Sequence, residues 1–542
     1  MFLPRTLLAL ALAGPQLLAQ ANAVPGTDVN LYDVSASTIY GRRGPAYPNG
    51  EVGVGFGHAF CNLGTVHIPW QTSPTTTGLM TDVHFKIAFL LARESNGRII
   101  QISTPGTGVK HSRVTYNLGS SQCGTCQSGP SSTFRIGCYD AYSTGFNGNQ
   151  FNLGPPNEID PWLGSWDPVG SYFDRGDPMV AGAAANDGTQ SLTSTQISAW
   201  GDPVKNRVTV PESELAQGGP FYAQVQLVCE GEPVANRNNN VLSDQLTFTW
   251  NGAAWSTSNI GSSVAGSVLN RWTGATRNLG GNGLDDGRFL VACKVTGPSN
   301  GVWHYEYAVH NLDNARGGAS LRLPLHPAAT LSNVGFRDND TDGLNQWTWS
   351  RNGNELAFLA SANNALNWNS IFNFWFDATV VPTGGTASID QARVGPGALS
   401  VAVTSDVPNG NLSATVATLG LGCQGLAHAA SARPMVGSTI QLVTSGIAAG
   451  TPLGITVLEI GAPAAPLDLT SHGMPGCTAY LQSGVNHFWF APIGTAQVPF
   501  VVPNLMTLSG LPLVSQAFAN SPGLTPLGFV ASNGLSLRIG VQ

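Results

Sequence analysis

The sequence predicts a mainly β protein, built of antiparallel β-sandwiches stapled by disulfides, with a loop-rich, cysteine-containing domain at its N-terminal end. Three observations carry this expectation. Only 10% of residues are Asp, Glu, Lys or Arg, against roughly 25% in an average globular domain. The apolar fraction, 42%, is ordinary, so polarity comes from Ser, Thr, Asn, Gln and Gly, the profile of an extracellular β-rich chain. The 66 Gly and 35 Pro are spread along the chain, which suits many short strands joined by tight turns. Long stretches of helical period are absent, so few helices are expected. Trp, Phe and Tyr occur throughout and can build cores, which makes disorder the weaker reading.

In chain order, the first 23 residues read as a secretory signal peptide. Arg5 supplies the basic start, Leu7 to Ala13 and then Leu17 and Leu18 supply an apolar run too short to span a bilayer, and Ala21-Asn22-Ala23 supplies an A-x-A cleavage site. Cleavage near Ala23 leaves a mature chain beginning at Val24. Export places every cysteine in an oxidising compartment. No later segment is apolar enough to span a membrane, Ser536 to Gln542 carries no hydrophobic anchor, and no cysteine sits at the cleavage site to take a lipid. No transmembrane anchor is expected, and the protein should be secreted or held at the exterior of the cell envelope.

The remaining length suits three or so domains. Residues 24–205 read as a Cys-rich N-terminal domain with long Gly, Ser, Asn and Pro loops around apolar pieces such as Phe85 to Leu91. Residues 206–395 read as a central β-sandwich, from the strands Phe221 to Glu230, Leu242 to Trp250, Arg288 to Val295, Trp303 to Leu312 and Ile371 to Val380, all rich in aromatic or β-branched residues. Pro382-Thr383-Gly384-Gly385 breaks the pattern. Residues 396–542 read as a second sandwich, with a run of apolar strands starting at Leu399 and continuing through Gln441 to Thr444, Leu453 to Ile460, Ala496 to Val502 and Leu535 to Val541.

Eight cysteines fall into three even sets: Cys61, Cys123, Cys126 and Cys138; Cys229 and Cys293; Cys423 and Cys477. The simplest expectation is two disulfides in the first set, with the pairing open among three possibilities, and one in each of the others. Closing the Cys423–Cys477 loop contributes about 4 kcal/mol on the chain-entropy model. Cys123-Gly124-Thr125-Cys126 also has the C-x-x-C spacing of zinc and redox sites, but no second such pair and no βαβ pattern accompanies it. A formal charge of −7 with no basic cluster argues against nucleic acid, whose binding depends on neutralised phosphates.

Two resemblances follow from particular motifs. Gly422-Cys423, Pro466-Leu467-Asp468-Leu469, Gly473-Met474-Pro475-Gly476-Cys477, Pro503-Asn504 and Ser532-Asn533-Gly534 resemble a module that ends many exported bacterial proteins, where it behaves as an appended domain without known chemistry. Cys61-Asn62-Leu63-Gly64, Lys110-His111, Gly137-Cys138-Tyr139-Asp140, Leu153-Gly154-Pro155, Tyr305-Glu306-Tyr307-Ala308, Asn311-Leu312, Asn364-Ala365-Leu366 with Trp368, and Asn373-Phe374 with Phe376-Asp377 resemble a group of large, uncharacterised secreted bacterial β-rich proteins. The resemblance implies export and fold but no particular activity. Where that group tends to carry an Asp-rich segment with a histidine after the central Gly-Phe, this chain has Arg337-Asp338-Asn339-Asp340, so no role for that histidine transfers.

Five constellations bear on chemistry. Asp338, Asp340 and Asp342, followed by Gly343, have the spacing that wraps oxygens around Ca²⁺, but the position that needs a bidentate acid is Trp349, which leaves only a looser calcium loop or a plain acidic turn. Asp285-Asp286-Gly287 reads as a turn. Strand alternation puts His304, Glu306, Ala308 and His310 on one face, read as solvated; His304 and Glu306 are near enough to share an ion, and His310 is too far along the strand to join them. His84, Lys110, His111, Asp140 and Glu158 are scarce residue types near the N-terminal cysteines, and are candidate ligands for Zn²⁺, Cu²⁺ or Fe²⁺ or candidate acid–base groups, with His58 and His67 beside Cys61. Trp162, Trp166, Trp250 and Trp255 sit in Gly, Asn and Ser-rich surroundings, where they either stack on sugars or fill the core.

No G-x-S-x-G elbow, H-E-x-x-H, Walker loop or strand-to-helix G-x-G-x-x-G is present. The expected function is therefore binding or structural contact at the envelope or outside the cell, with envelope glycans or other surface proteins as partner classes. The alternatives are a secreted metal-dependent enzyme, with His84, His111, Asp140 and Glu158 as first ligands and Lys110 stabilising charge, and a glycan-binding protein.

Overall fold

The computed structural model describes residues 21–70, 82–83, 85–108, 116–175, 188, 192–282, 286–299, 302–327, 329–340, 342–410, 414–490, 492, 494–505 and 508–540. The chain is mainly β, with antiparallel sheets throughout. Helices among the described residues are short: Thr144–Asn147, Tyr172–Arg175, Ser194–Ala199 and Glu212–Ala216, besides single 3₁₀ turns. None is long and apolar enough to cross a membrane. Residues 1–20, most of the expected export signal, lie outside the described residues. Val24, the expected mature N-terminus, donates its backbone N–H to the Gly231 carbonyl at 2.6 Å.

Two sheets make the first unit. One runs in the order Val29–Arg43, Glu51–Asn62, Cys138–Tyr142, Leu118–Gly119, with Val208–Pro211 also on Glu51–Asn62. The other runs Trp255–Asn259, Val241–Trp250, Phe221–Val228, Lys86–Ser95, Arg98–Gln101. Between them lies a core that includes Phe56, Phe60, Phe85, Phe89, Val225 and Leu227. The strand Lys86–Ser95 explains why its sequence is an unbroken apolar run rather than an alternating one. Ile87, Phe89 and Leu91 face this core, while Leu90 and Ala92 face a second cluster shared with Leu290, Ala292, Ala308 and Ile371 of the next unit.

The second unit is likewise a pair of sheets. Its first sheet, Thr276–Gly281, Arg288–Ser299, Val302–Asn311, Ser370–Ala378, Leu331–Arg337, packs against Thr348–Asn352, Glu355–Leu359, Ser320–Pro324, Thr383–Asp390, Ser400–Val407. Tyr305, Tyr307, Phe374 and Phe376 point into that sandwich, with Leu321, Phe358, Ile389 and Val403 from the facing sheet. Period-2 alternation sends Ala308, Ile371 and Ala292 the other way, against the first unit. Backbone-directed amides fix this seam: Asn369 Nδ2 donates to the Phe89 carbonyl at 2.8 Å, Asn373 Nδ2 to that of Ile99 at 3.0 Å, and Gln101 Oε1 accepts from the Ile371 N–H at 2.7 Å. Glu214 adds an ion bridge, accepting from Arg93 of its own unit and Arg337 of the second, both at 2.8 Å.

The third unit pairs a sheet in the order Thr415–Leu419, Phe529–Arg538, Pro512–Asn520, Leu453–Ile460, Val485–Phe490 with a smaller one of Ala427–Ala430, Thr439–Ser445 and Thr495–Val501. Ile440, Leu442, Trp489, Val498, Leu535 and Leu537 fill the space between. Gly454 lets Trp489 lie flat across its strand, since a Cβ there would meet the indole at 2.1 Å.

Three sequence expectations need correction. The strands at Phe221 and Leu242 belong to the first sandwich, because Phe221–Val228 pairs with Lys86–Ser95 and with Val241–Trp250; local pattern marks a strand but not a partner so far back in the chain. The strand from Ser400 closes the second sandwich against Thr383–Asp390, so the run starting at Leu399 does not open the last domain. Disulfides join Cys61 to Cys123, Cys126 to Cys138 and Cys423 to Cys477, whereas Cys229 and Cys293 are free and buried. Those two cannot meet because they fill different cores, Cys229 that of the first unit and Cys293 that of the second.

Candidate functional site

His84, Lys110 and His111 lie outside the described residues, as does Asp285. Asp140 is buried on the strand Cys138–Tyr142 opposite Phe60, and its Oδ1 accepts from the Ala141 N–H at 2.8 Å. Glu158 ends a 3₁₀ turn and accepts from the Tyr172 N–H at 2.9 Å, bracing the loop that follows. Among the described residues no three His, Cys, Asp or Glu side chains gather to hold a metal.

That result includes the acidic loop. Asp338 Oδ1 accepts from the Asp340 N–H at 3.3 Å, Asp340 Oδ1 from that of Asp342 at 2.7 Å, and Asp342 Oδ1 from that of Leu344 at 2.9 Å. Each carboxylate folds the backbone just ahead of it, so the three do not converge, and the expected calcium donor set is not assembled. Asp338 turns its other oxygen to Asn364 Nδ2 at 2.8 Å, and burial pushes its carboxyl above the usual range.

Of the face carrying His304, Glu306 and His310, only His304 keeps partial contact with solvent, while Glu306 and His310 are buried. This face forms the seam with the first unit: Arg98 donates to Glu306 Oε2 at 2.6 Å, His304 Nε2 lies 3.2 Å from the same oxygen, and His304 Nδ1 lies 2.6 Å from Asp377 Oδ1. Hydrogen bonds from Glu306 and Asp377 push the His304 imidazole up, while burial pushes the Glu306 carboxyl up. His310 is fully buried beside Ser267 Oγ at 2.9 Å, and burial pushes it down to about 3. The sequence showed the alternation but not that another sheet would cover its polar side.

The tryptophans do not make an exposed row. Trp162, Trp166 and Trp255 are buried, and Trp250 stacks on Tyr47 with ring centroids 4.4 Å apart.

What the two units do create together is a cleft of about 590 Å³, within the range of ligand pockets. Its first wall is Pro105 and the segment Pro156–Pro161; its second is the end of the acidic loop, the segment 363–370 and Arg393. Buried Ile159, Trp368 and Phe372 supply apolar lining, and Trp368 Nε1 donates to Gln226 Oε1 at 3.3 Å, tying that lining to the first unit. Five of the lining residues are asparagines, and the charged ones are Asp340 and Arg393. Asn339 Nδ2 donates to Ser370 Oγ at 3.1 Å and Asn364 is committed to Asp338. Asn157 and Asn363 are exposed on opposite walls, and Asn363 holds a left-handed φ of 68°, which Asn adopts more readily than most residues.

Sequence reasoning missed Asn157, Asn363, Asn367 and Arg393. Carboxamides carry no signature spacing, and the segment 364–368 stood out only through the family resemblance. No protein-family model matches the chain, and no curated protein matches it.

Proposed function

We propose that the protein is exported, its signal cleaved near Ala23, and that it acts at the envelope exterior or beyond by binding a ligand in the cleft between its first two units. The C-terminal sandwich serves as an appended module, in line with its resemblance to such modules. The three disulfides support an oxidising location. The observation that carries the binding reading is the cleft itself: a concave, amide-lined space of about 590 Å³ whose two walls are locked together by the Asn369, Asn373 and Gln101 hydrogen bonds. Preorganised walls reduce the ordering cost of binding.

The test is an array of glycans and peptides probed with the mature protein starting at Val24, beside Ala365→Trp, which puts an indole into the cleft. Signals present in wild type and lost in a folded Ala365→Trp support the reading. Signals that survive the substitution contradict it.

A further inference from the structure

We infer that the ligand of the cleft is a neutral oligosaccharide; this rests on the cleft being the binding site. The polar groups of the cleft point to the class of ligand. Arg393 donates from one outer nitrogen to Asn367 Oδ1 at 2.8 Å and from the other to the Ala315 carbonyl at 2.9 Å, so both ends of its fork are engaged by neutral acceptors of its own unit. Asp340 uses both oxygens to fold its loop, Oδ1 accepting from the Asp342 N–H and Oδ2 from Asn345 Nδ2 at 3.0 Å.

The two charged side chains of the cleft thus both help to build it, and their opposite signs balance. Its uncommitted groups are neutral: the side chains of Asn157 and Asn363 make no hydrogen bond to the described residues, and both line the cleft, one from each unit. A carboxamide offers two donor hydrogens and an acceptor oxygen. Sugar hydroxyls, each both donor and acceptor, match that set, and the C–H faces of a pyranose match the half-buried prolines Pro105 and Pro156. The one cation and one anion of the lining balance, so the cleft presents no net charge to a polyanion or polycation.

Isothermal titration tests this with neutral oligosaccharides of glucose, galactose, mannose and N-acetylglucosamine, beside oligogalacturonate, a heparin tetrasaccharide and an uncharged peptide. The proteins are wild type, Ala365→Trp, and Asn157→Ala combined with Asn363→Gly, which removes both carboxamides while keeping the positive φ. Thermal melting confirms that each variant is folded. The inference predicts binding of a neutral sugar that is insensitive to salt, lost in Ala365→Trp and weakened roughly tenfold or more in the double variant. Binding of a charged sugar or the peptide alone, lost in Ala365→Trp, overturns the inference of a neutral oligosaccharide and leaves the cleft reading standing. No binding by any probe, or binding untouched by Ala365→Trp, overturns both.

Discussion

The guanidinium of Arg98 lies 4.2 Å from the centroid of the Trp375 indole, across the seam between the first two sandwiches. The same group donates to Glu306 at 2.6 Å, so one side chain joins a cation–π contact to an ion pair whose carboxylate is almost fully buried. Arg98→Ala should cost about 2–3 kcal/mol, below the full value for a buried pair because Arg98 is partly exposed. Urea denaturation measures it. Adding Glu306→Gln should recover part of the loss by removing the stranded charge; a double variant as unstable as the sum of both singles would contradict this coupling.

Gly335 lies against the same indole, where a Cβ would meet ring carbons of Trp375 at 2.2 Å. Gly335→Ala should therefore displace the ring and destabilise the protein by about 1–3 kcal/mol. Tryptophan fluorescence and the denaturation midpoint should shift together. An unchanged midpoint would mean that the strand yields without moving the ring.

The thiols give a chemical count. Cys229 and Cys293 are free and buried, and burial pushes both up, Cys293 to about 12, so neither is a ready nucleophile. Iodoacetamide should modify neither in the folded protein and both after unfolding without reductant, as read by intact mass. A Cys229–Cys293 bridge would leave nothing to alkylate.

Stability should depend on pH in two opposite senses. Loss of hydration pushes His58 and His310 to about 3 and His428 to about 4, from an ordinary 6.5. Below pH 6.5 the unfolded chain binds protons that the folded chain refuses, so these groups withdraw stability as pH falls toward those values. Burial raises Glu232 from 4.5 to about 7, and there the folded state holds the extra proton, so stability is lost as pH rises through that window. The raised His304 has the same sign as Glu232, its contribution being present at low pH and lost as pH rises through its folded value. Glu232→Gln should flatten the loss between pH 4.5 and 7, and His310→Gln should flatten the acid side; denaturation midpoints across pH test both. A slope unchanged in either variant would contradict the assignment.

Much of the fold was legible, for an identifiable reason. Strand existence follows from period-2 alternation, and Tyr305, Tyr307 and Val309 face the core as that alternation requires. Pairing partners did not follow, because nothing local to Phe221–Val228 specifies Lys86–Ser95. The same gap misplaced the site. Catalysis and metal binding leave scarce residues to notice, such as Asp140, which proved to be a buried strand residue. The cleft instead arises from common residues, Asn157 from one unit and Asn363 from another, which only the docking of two sandwiches brings into one lining.

The most direct test of the account is hydrogen exchange read by mass spectrometry on the mature protein, with and without saturating amounts of the neutral oligosaccharide that gives the strongest array signal. The account predicts added protection in the segments 156–161, 339–345 and 363–372, from both walls at once, with the C-terminal sandwich unchanged. Protection confined to the C-terminal sandwich, or to one wall alone, would contradict a ligand held between the two units.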